Sequence, residues 1–226
     1  MVELLKEYGP MVLSGLGLTV GLSLAAVCLA IMFGIVGAAL RLSNNAVARG
    51  IGRTYTTLIR GLPDLVLMLL VFFGGQMLLN KIGSATGWWK YIEISPFMAG
   101  AITIGFIFGA YMTETFRGAF LSIPLGQIEA AKAIGMAPRT YMIRIVWPQI
   151  VPLALPSFTN NWLVLLKTTA LASILGLHDI MYNAHQAGRT SQEPFLFLLM
   201  AFCIYLGLTM ISDVGLRALG KRYALK

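Results

Sequence analysis

The sequence predicts an all-α polytopic membrane protein with about five transmembrane helices, and three observations carry that reading. Of 226 residues, 58% are hydrophobic and only 12% are charged, where a soluble domain has about 45–50% and about 25%. Apolar runs of bilayer length recur along the whole chain. The Lys and Arg residues fall in short stretches between those runs rather than on one continuous face. A soluble enzyme and a disordered tail are excluded by the missing solvated surface. The net charge of +8 would have to be concentrated on one face for nucleic-acid binding, so no nucleic-acid partner is expected. Lipid is the expected surroundings.

A bilayer core takes roughly 20 apolar residues per helix. The segments of that kind are 11–40, about 55–80 (its clearest apolar part is 62–79), 97–123, 150–177 and 194–214. They form a single domain over 1–226 with no internal repeat. Strict alternation over ten-residue segments, as in a β-barrel, is absent. Orientation follows from the basic residues. Twelve lie between the first and second spans, between the third and fourth, and after the fifth (Arg217, Lys221, Arg222 and Lys226). Four lie on the opposite side (Lys6, Lys81, Lys90 and Arg189), and Lys167 is inside the fourth span. The N-terminus is therefore expected outside and the C-terminus in the cytoplasm. Trp88, Trp89 and Tyr91 suit the outer interface, where amphipathic rings gather. Residues 1–10, with Glu3 and Glu7 and no basic leader, do not read as a cleavable signal.

Within the spans, Gly17/Gly21 and Gly105/Gly109 are small-residue pairs of the kind that lets helices approach closely. Cys28 and Cys203 fall in apolar runs and read as buried packing residues, with no metal cluster around them. The ionisable groups at membrane depth are the informative ones. Asp64 follows Pro63 at the start of the second span. Glu114 lies in the third, Lys167 in the fourth, with Asn160 and Asn161 about two turns before it. Gln76 adds an uncharged polar group in the second span. Glu114 reads either as half of a structural ion pair, with Arg117 or Lys167, or as part of a path for a cationic solute. Asp64 reads either as a headgroup-level carboxylate near Arg60 or as part of the same path. The fourth span, with Pro148, Pro152 and Pro156 at its entry, leaves carbonyls without donors. It reads as a translocation wall or as a helix buried in the bundle.

The segment 126–148 is expected to be cytoplasmic and structured. Gln127 to Ile134 is rich in helix formers, Gly135 is placed to stop that helix, and Pro138 can start another. Ala130, Ala131 and Ala133 make a small-residue surface for a docking partner; the other reading is an amphipathic helix lying on the membrane. Gly215–Lys221 imitates a phosphate loop, but Arg222 stands where a Ser or Thr is needed and no strand precedes it.

Glu129-Ala130-Ala131, then Gly135, Ile145 and Pro148, resembles at fixed spacing the cytoplasmic signature of bacterial ATP-binding cassette (ABC) importer permeases. Trp147 replaces the usual Leu. Arg60-Gly61-Leu62-Pro63, Glu114-Thr115-Phe116-Arg117-Gly118 and Lys167-Thr168-Thr169-Ala170-Leu171 resemble the polar amino-acid branch, with Leu62 and Thr168 as departures. Within that branch, residues 55–70 and 109–120 are similar to the permeases of the histidine/lysine–arginine–ornithine importers. The resemblance implies a type I ABC importer permease fold in the bacterial inner membrane. It also implies a coupling role for Glu129, Ala130, Ala131, Gly135, Ile145 and Pro148, and a chain that is not an enzyme and binds no cofactor. ATP and Mg would sit on a partner ATPase pair, beside a second homologous permease, giving a heterodimer, and a periplasmic solute-binding protein. The implied solute is a basic amino acid. Another polar amino acid such as glutamine or an opine stays open, as does an ATP-independent channel or uniporter. Asp64, Glu114, Asn160, Asn161 and Lys167 are the candidates for the substrate path.

Overall fold

A computed structural model describes residues 2–223; Lys226 lies outside the described residues. All elements described are helical. Helix α1 (Val2–Ser14) and α2 (Leu16–Leu42) together make the first span. They meet at Gly15, where a Cβ would stand 2.4 Å from the Asp179 carbonyl carbon. After a short turn capped by Asn45, whose side chain accepts from the Val47 and Ala48 amides, comes α3 (Ala46–Ile59). The next helical stretch is α4 (Asp64–Leu69), a π-turn (Leu70–Gly74) and α5 (Gly75–Thr86). Then follow α6 (Pro96–Leu121), α7 (Leu125–Ala133) and α8 (Pro138–Tyr141). A second π-turn (Met142–Val146) leads into α9 (Trp147–Thr168), continued by a 3-10 segment (Thr169–Leu175). The chain ends in α10 (Ile180–Ser191) and α11 (Pro194–Tyr223).

Four stretches are long and apolar enough to cross a membrane: Glu3–Leu42, Asp64–Thr86, Pro96–Leu121 and Pro194–Tyr223. A bent pair, Pro138–Leu175 with Ile180–Ser191, turned by 54°, passes the same test of length and composition when its two parts are taken together. The second segment departs from a single continuous helix reaching back to Tyr55. It breaks at Gly61–Pro63, because Pro63 cannot donate and restricts the residue before it. Helix α3 runs back against α2 and α6 instead: a Cβ on Gly52 would stand 3.0 Å from Arg41 Cγ of α2, and the Tyr55 hydroxyl donates to the Phe106 carbonyl of α6 at 2.6 Å.

The core is the α2–α6 pair. Cβ atoms on Gly105 and Gly109 would stand 2.6 Å from Leu29 Cβ and 2.5 Å from Phe33 Cβ, so this glycine pair does set a close crossing. Gly34 and Gly37 supply the matching side, with 2.5 Å to Met112 Cβ and 2.1 Å to Thr113 Oγ1. A Cβ on Gly17 or Gly21 would have nothing within 4 Å among the described residues, so this pair sets no close crossing there. Cys28 and Cys203 are exposed on the outer faces of α2 and α11, not buried. In a membrane protein the lipid-facing flank is as apolar as the core, so hydropathy cannot separate the two.

Gln76 has a structural role. It and Asn80 hold the loop before α6. The Asn80 side chain accepts from the Ile92 amide at 2.8 Å and donates to the Ile92 carbonyl at 2.9 Å. Gln76 accepts from the Ile94 amide at 2.6 Å and donates to the Ile92 carbonyl. Trp88 and Tyr91 project from this loop, whereas Trp89 is tucked over Gly83.

Candidate functional site

The helical bundle carries an open polar cleft of about 510 Å³ between α6, α9 and the break after α3. Its wall is Arg60, Tyr111, Glu114, Thr115, Pro156, Ser157, Asn160 and Asn161. Residues 111, 114 and 115 share one face of α6, and 156, 157, 160 and 161 share one face of α9, because positions three and four apart are neighbours on a helix. The prolines of α9 recur every four residues, so withdrawn donors and freed carbonyls gather along one side of it. Pro156 carries that side into the cleft.

Glu114 sits between two arginines. Arg41 Nη2 lies 3.2 Å from one carboxylate oxygen, and Arg117 Nη2 lies 2.9 Å from the other, with Arg117 Nε also donating at 2.9 Å. The ion pair predicted with Arg117 forms. Lys167 is not the other partner; Arg41 of α2 is, brought there because it lies one turn beyond Gly37 in the tight α2–α6 crossing. Across the cleft, Asn161 donates to Thr115 Oγ1 at 3.0 Å, which ties α9 to α6. Arg60 lies over the Tyr111 ring, 5.1 Å from its centre, a cation–π contact. The wall therefore offers both kinds of polar group: guanidinium donors, and the oxygens of Glu114, Asn160 and Asn161.

The fold thus brings together three of the five path candidates. Asp64 is not in the wall. It occupies the first turn of α4, where a carboxylate is favoured by the helix dipole. Lys167 lies further along α9, exposed, with no carboxylate in ion-pair distance among the described residues. Sequence reasoning missed Arg60, Tyr111 and Thr115 as parts of the wall, and Arg41 as the second partner of Glu114. Arg60 and Tyr111 had a signal, since each sits in a stretch that the family resemblance covers.

The segment 126–148 is built as one short helix, a break and a second start. Helix α7 ends at Ile134 with a full Schellman arrangement: the Gly135 amide donates to the Lys132 carbonyl at 2.9 Å, and the Met136 amide to the Ala131 carbonyl at 3.0 Å. Gly135 has φ +75, which a residue without Cβ adopts freely. Pro138 is the first residue of α8. Glu129, Ala130 and Ala133 are exposed, as are Leu125 at 73% and Ile134 at 76%. Ala131 departs from the expected docking surface: it is 3% exposed and faces its own chain. In a two-turn helix, one of three clustered alanines must face the body that carries it. Ile145 is half-buried, and Pro148 is exposed at the start of α9. Trp147, where the signature has Leu, is half exposed and lines an apolar groove with Phe116 and Ile150. The Gln149 side chain donates to the Gln127 side-chain oxygen at 2.6 Å and to the Ile145 carbonyl at 2.8 Å, fastening α7 to α9. Gly215 to Lys221 continues α11 as helix, with no loop at the phosphate-loop imitation.

A polar cleft walled by the helices of an apolar bundle is the architecture of a solute permease. Residues 30–225 match the family described as the inner membrane component of binding-protein-dependent transport systems, and the chain belongs to that family. It is 46% identical over 222 residues, 98% of this chain and 97% of the other, to the histidine/lysine/arginine/ornithine transport system permease protein HisQ of Salmonella typhimurium. It is 40% identical to the nopaline transport system permease protein NocQ of Agrobacterium fabrum, covering 92% of this chain and 89% of that one. Among solved structures, it matches an amino acid ABC transporter crystallised with histidines at a TM-score of 0.82 and 27% identity, covering 96% of both chains. The methionine transporter MetNI, at 15% identity and a TM-score of 0.77, shares the fold over 95% of this chain and 97% of that one. The chain is thus a multi-pass inner-membrane permease subunit of a type I ABC importer for amino acids, and not an enzyme.

Proposed function

We propose that this permease moves a basic amino acid (histidine, arginine, lysine or ornithine) across the inner membrane by alternating access, and that the cleft around Glu114 is its station within the membrane. The observation that carries the site assignment is the cleft's pairing of opposite polar groups. A basic amino acid presents a carboxylate at one end and a cation at the other. Arg60 suits the first, and the oxygens of Asn160, Asn161 and Glu114 suit the second. In a site of reduced dielectric such contacts count for more than in water. The relatives that transport histidine, lysine, arginine and ornithine support the solute class. The nopaline permease favours a second reading, an opine.

In this reading the N-terminus lies outside and the C-terminus in the cytoplasm, supported by the distribution of basic residues. Helix α7 with Glu129, Ala130 and Gly135 is the coupling helix, seated in a cleft of an ATPase subunit. Ile145 and Pro148 place the following turn, and Ala131 anchors the helix to its own body. The ATPase pair binds ATP and Mg, a periplasmic binding protein delivers the solute, and a second, homologous permease completes a heterodimer. Closure of the ATPase pair moves α7, and the Gln127–Gln149 link passes the motion to α9, which forms one wall of the cleft.

The deciding experiment co-purifies the complex and measures ATP hydrolysis against a panel of amino acids with the binding protein present. Arginine, lysine, histidine or ornithine is expected to stimulate hydrolysis most. Stimulation by glutamine or nopaline alone would replace the solute assignment, and transport without ATP would replace the mechanism.

A further inference from the structure

Another hollow, about 580 Å³, lies between the 3-10 segment and α10, and its polar groups are Ser173, Tyr182, His185, Gln186 and Arg189. Among the described residues no carboxylate lines it. Both histidines of the chain, His178 and His185, belong to this one small region. His178 stacks on Tyr182 with ring centres 4.4 Å apart. The nearby carboxylate of Asp179 is fully buried and turned away into the bundle, where it accepts from the Tyr182 amide at 2.8 Å. The hollow thus presents hydrogen-bond donors and a permanently charged guanidinium, with apolar walls from Leu171 and Ile174.

This hollow and the Glu114 cleft are joined along one helix. Asn160, Val164 and Lys167 are spaced to share a face of α9 and all three are exposed. Thr168, Leu171 and Ile174 continue the stripe at three-residue spacing, at which 3-10 side chains eclipse. From Asn160 to Ile174 the rise is about 24 Å at 1.5 Å per α residue and 2.0 Å per 3-10 residue. Lys167 stands midway, exposed and without an ion-pair partner among the described residues. An unpaired ammonium at membrane depth is costly unless water or a ligand reaches it.

We infer that the Arg189–His185 hollow is an outer station that receives the α-carboxylate of the incoming amino acid, and that Lys167 relays that carboxylate along α9 to the Glu114 cleft. The inference rests on the importer reading and on its orientation, but not on Glu114 being a ligand. Cationic donors along the stripe guide the carboxylate end of the solute, the end every amino acid shares. The solute's cationic end is left to be sorted in the inner cleft.

The test uses the complete complex in proteoliposomes, with Cys28 and Cys203 replaced by alanine. Single cysteines at Val164→Cys, Leu171→Cys and Ile174→Cys are labelled from the binding-protein side. The two reagents are anionic sulfonatoethyl methanethiosulfonate and cationic trimethylammonioethyl methanethiosulfonate. The anionic reagent is expected to react faster by about threefold or more, as a cationic cleft raises the local concentration of anions. That preference is expected to vanish in Arg189→Gln and to weaken at Val164→Cys in Lys167→Gln. L-Arginine is expected to slow labelling, and agmatine, which lacks the carboxylate, is not. Equal rates for the two reagents, reaction with neither, or equal protection by agmatine would overturn the inference. Arginine uptake by Glu114→Gln is measured in parallel. Its loss with no charge preference along the stripe would strike the outer station alone. A retained preference with undiminished uptake would strike the inner-cleft reading alone.

Discussion

Gln149 and Gln127 join two elements with different duties through one amide pair, Nε2 to Oε1 at 2.6 Å. Gln127 stands in the first turn of the exposed helix α7, and Gln149 in the first turn of α9, whose later turns carry Asn160 and Asn161 in the cleft wall. Both side chains reach solvent, so breaking the pair is cheap in stability: a neutral hydrogen bond is worth about 1 kcal/mol net. Its expected importance is mechanical. Gln149→Leu is predicted to leave the amount of assembled complex unchanged while cutting uptake per ATP hydrolysed severalfold. A normal ratio of uptake to hydrolysis would remove Gln149 from the coupling route.

Gly135 separates backbone geometry from contact. Nothing lies within 4 Å of a Cβ placed there, so only its φ of +75 resists substitution. Gly135→Ala is predicted to cost about 1 kcal/mol and to lower transport modestly. Gly135→Pro cannot hold a positive φ and also loses the amide that donates to Lys132. It is predicted to abolish transport while leaving membrane insertion intact, as is Glu129→Lys if α7 docks through its exposed acid. Quantified membrane fractions alongside arginine uptake check both, and normal uptake in Gly135→Pro and Glu129→Lys would withdraw the docking role from α7.

The difference between what the sequence disclosed and what it withheld follows the range of the interaction. The stop at Gly135 and the start at Pro138 were legible because caps are local chemistry within a few residues. The Glu114–Arg117 pair was legible at a spacing of three. The Arg41 partner was not, because it depends on α2 lying against α6 in one register, and that register is set by Gly34 and Gly37 meeting Met112 and Thr113. The same gap explains Gly17 and Gly21, whose spacing equals that of the packed pair Gly105 and Gly109 but which meet no neighbour among the described residues. Ala131 and the two cysteines were misplaced for one reason: composition reports that a face is apolar or small, not what it faces. The break of the second span at Gly61–Pro63 was written in the sequence as a proline. That α3 folds back against α2 and α6 depends on the close approach of Gly52 to Arg41 and on the Tyr55 to Phe106 bond, neither of which is local in sequence.

The α2–α6 crossing yields a packing prediction. Gly37 has no room for a methyl group, since a Cβ would stand 2.1 Å from Thr113 Oγ1. Gly37→Ala is therefore predicted to destabilise by about 1–3 kcal/mol through overpacking, and to displace Arg41 from Glu114 as well. Gly17→Ala, with open space around it, is predicted to leave stability unchanged or slightly raised, since alanine favours the helix by about 0.8–1.0 kcal/mol. Thermal denaturation of the detergent-solubilised complex compares the two. Equal effects would show that the close approach at Gly37 does not hold the bundle.

Glu114 tests whether the cleft is a structural knot or a solute station. Glu114→Gln keeps the shape but leaves Arg41 and Arg117 without a carboxylate, and Arg41 Nε is already buried without a partner. A purely structural role predicts lower stability with an unaltered affinity for the solute in whatever complex survives. It also predicts that a second change, Arg41→Gln, restores stability by removing the excess positive charge. A station predicts something the double variant cannot repair. With the only carboxylate of the cleft wall among the described residues gone, the KM for arginine uptake rises severalfold in Glu114→Gln, and stays raised when Arg41→Gln restores assembly. Uptake measured per assembled complex, across a range of arginine-loaded binding protein, separates the two. A KM that returns to normal in the double variant would make Glu114 a strut between α2 and α6 and leave solute recognition to Arg60, Asn160 and Asn161.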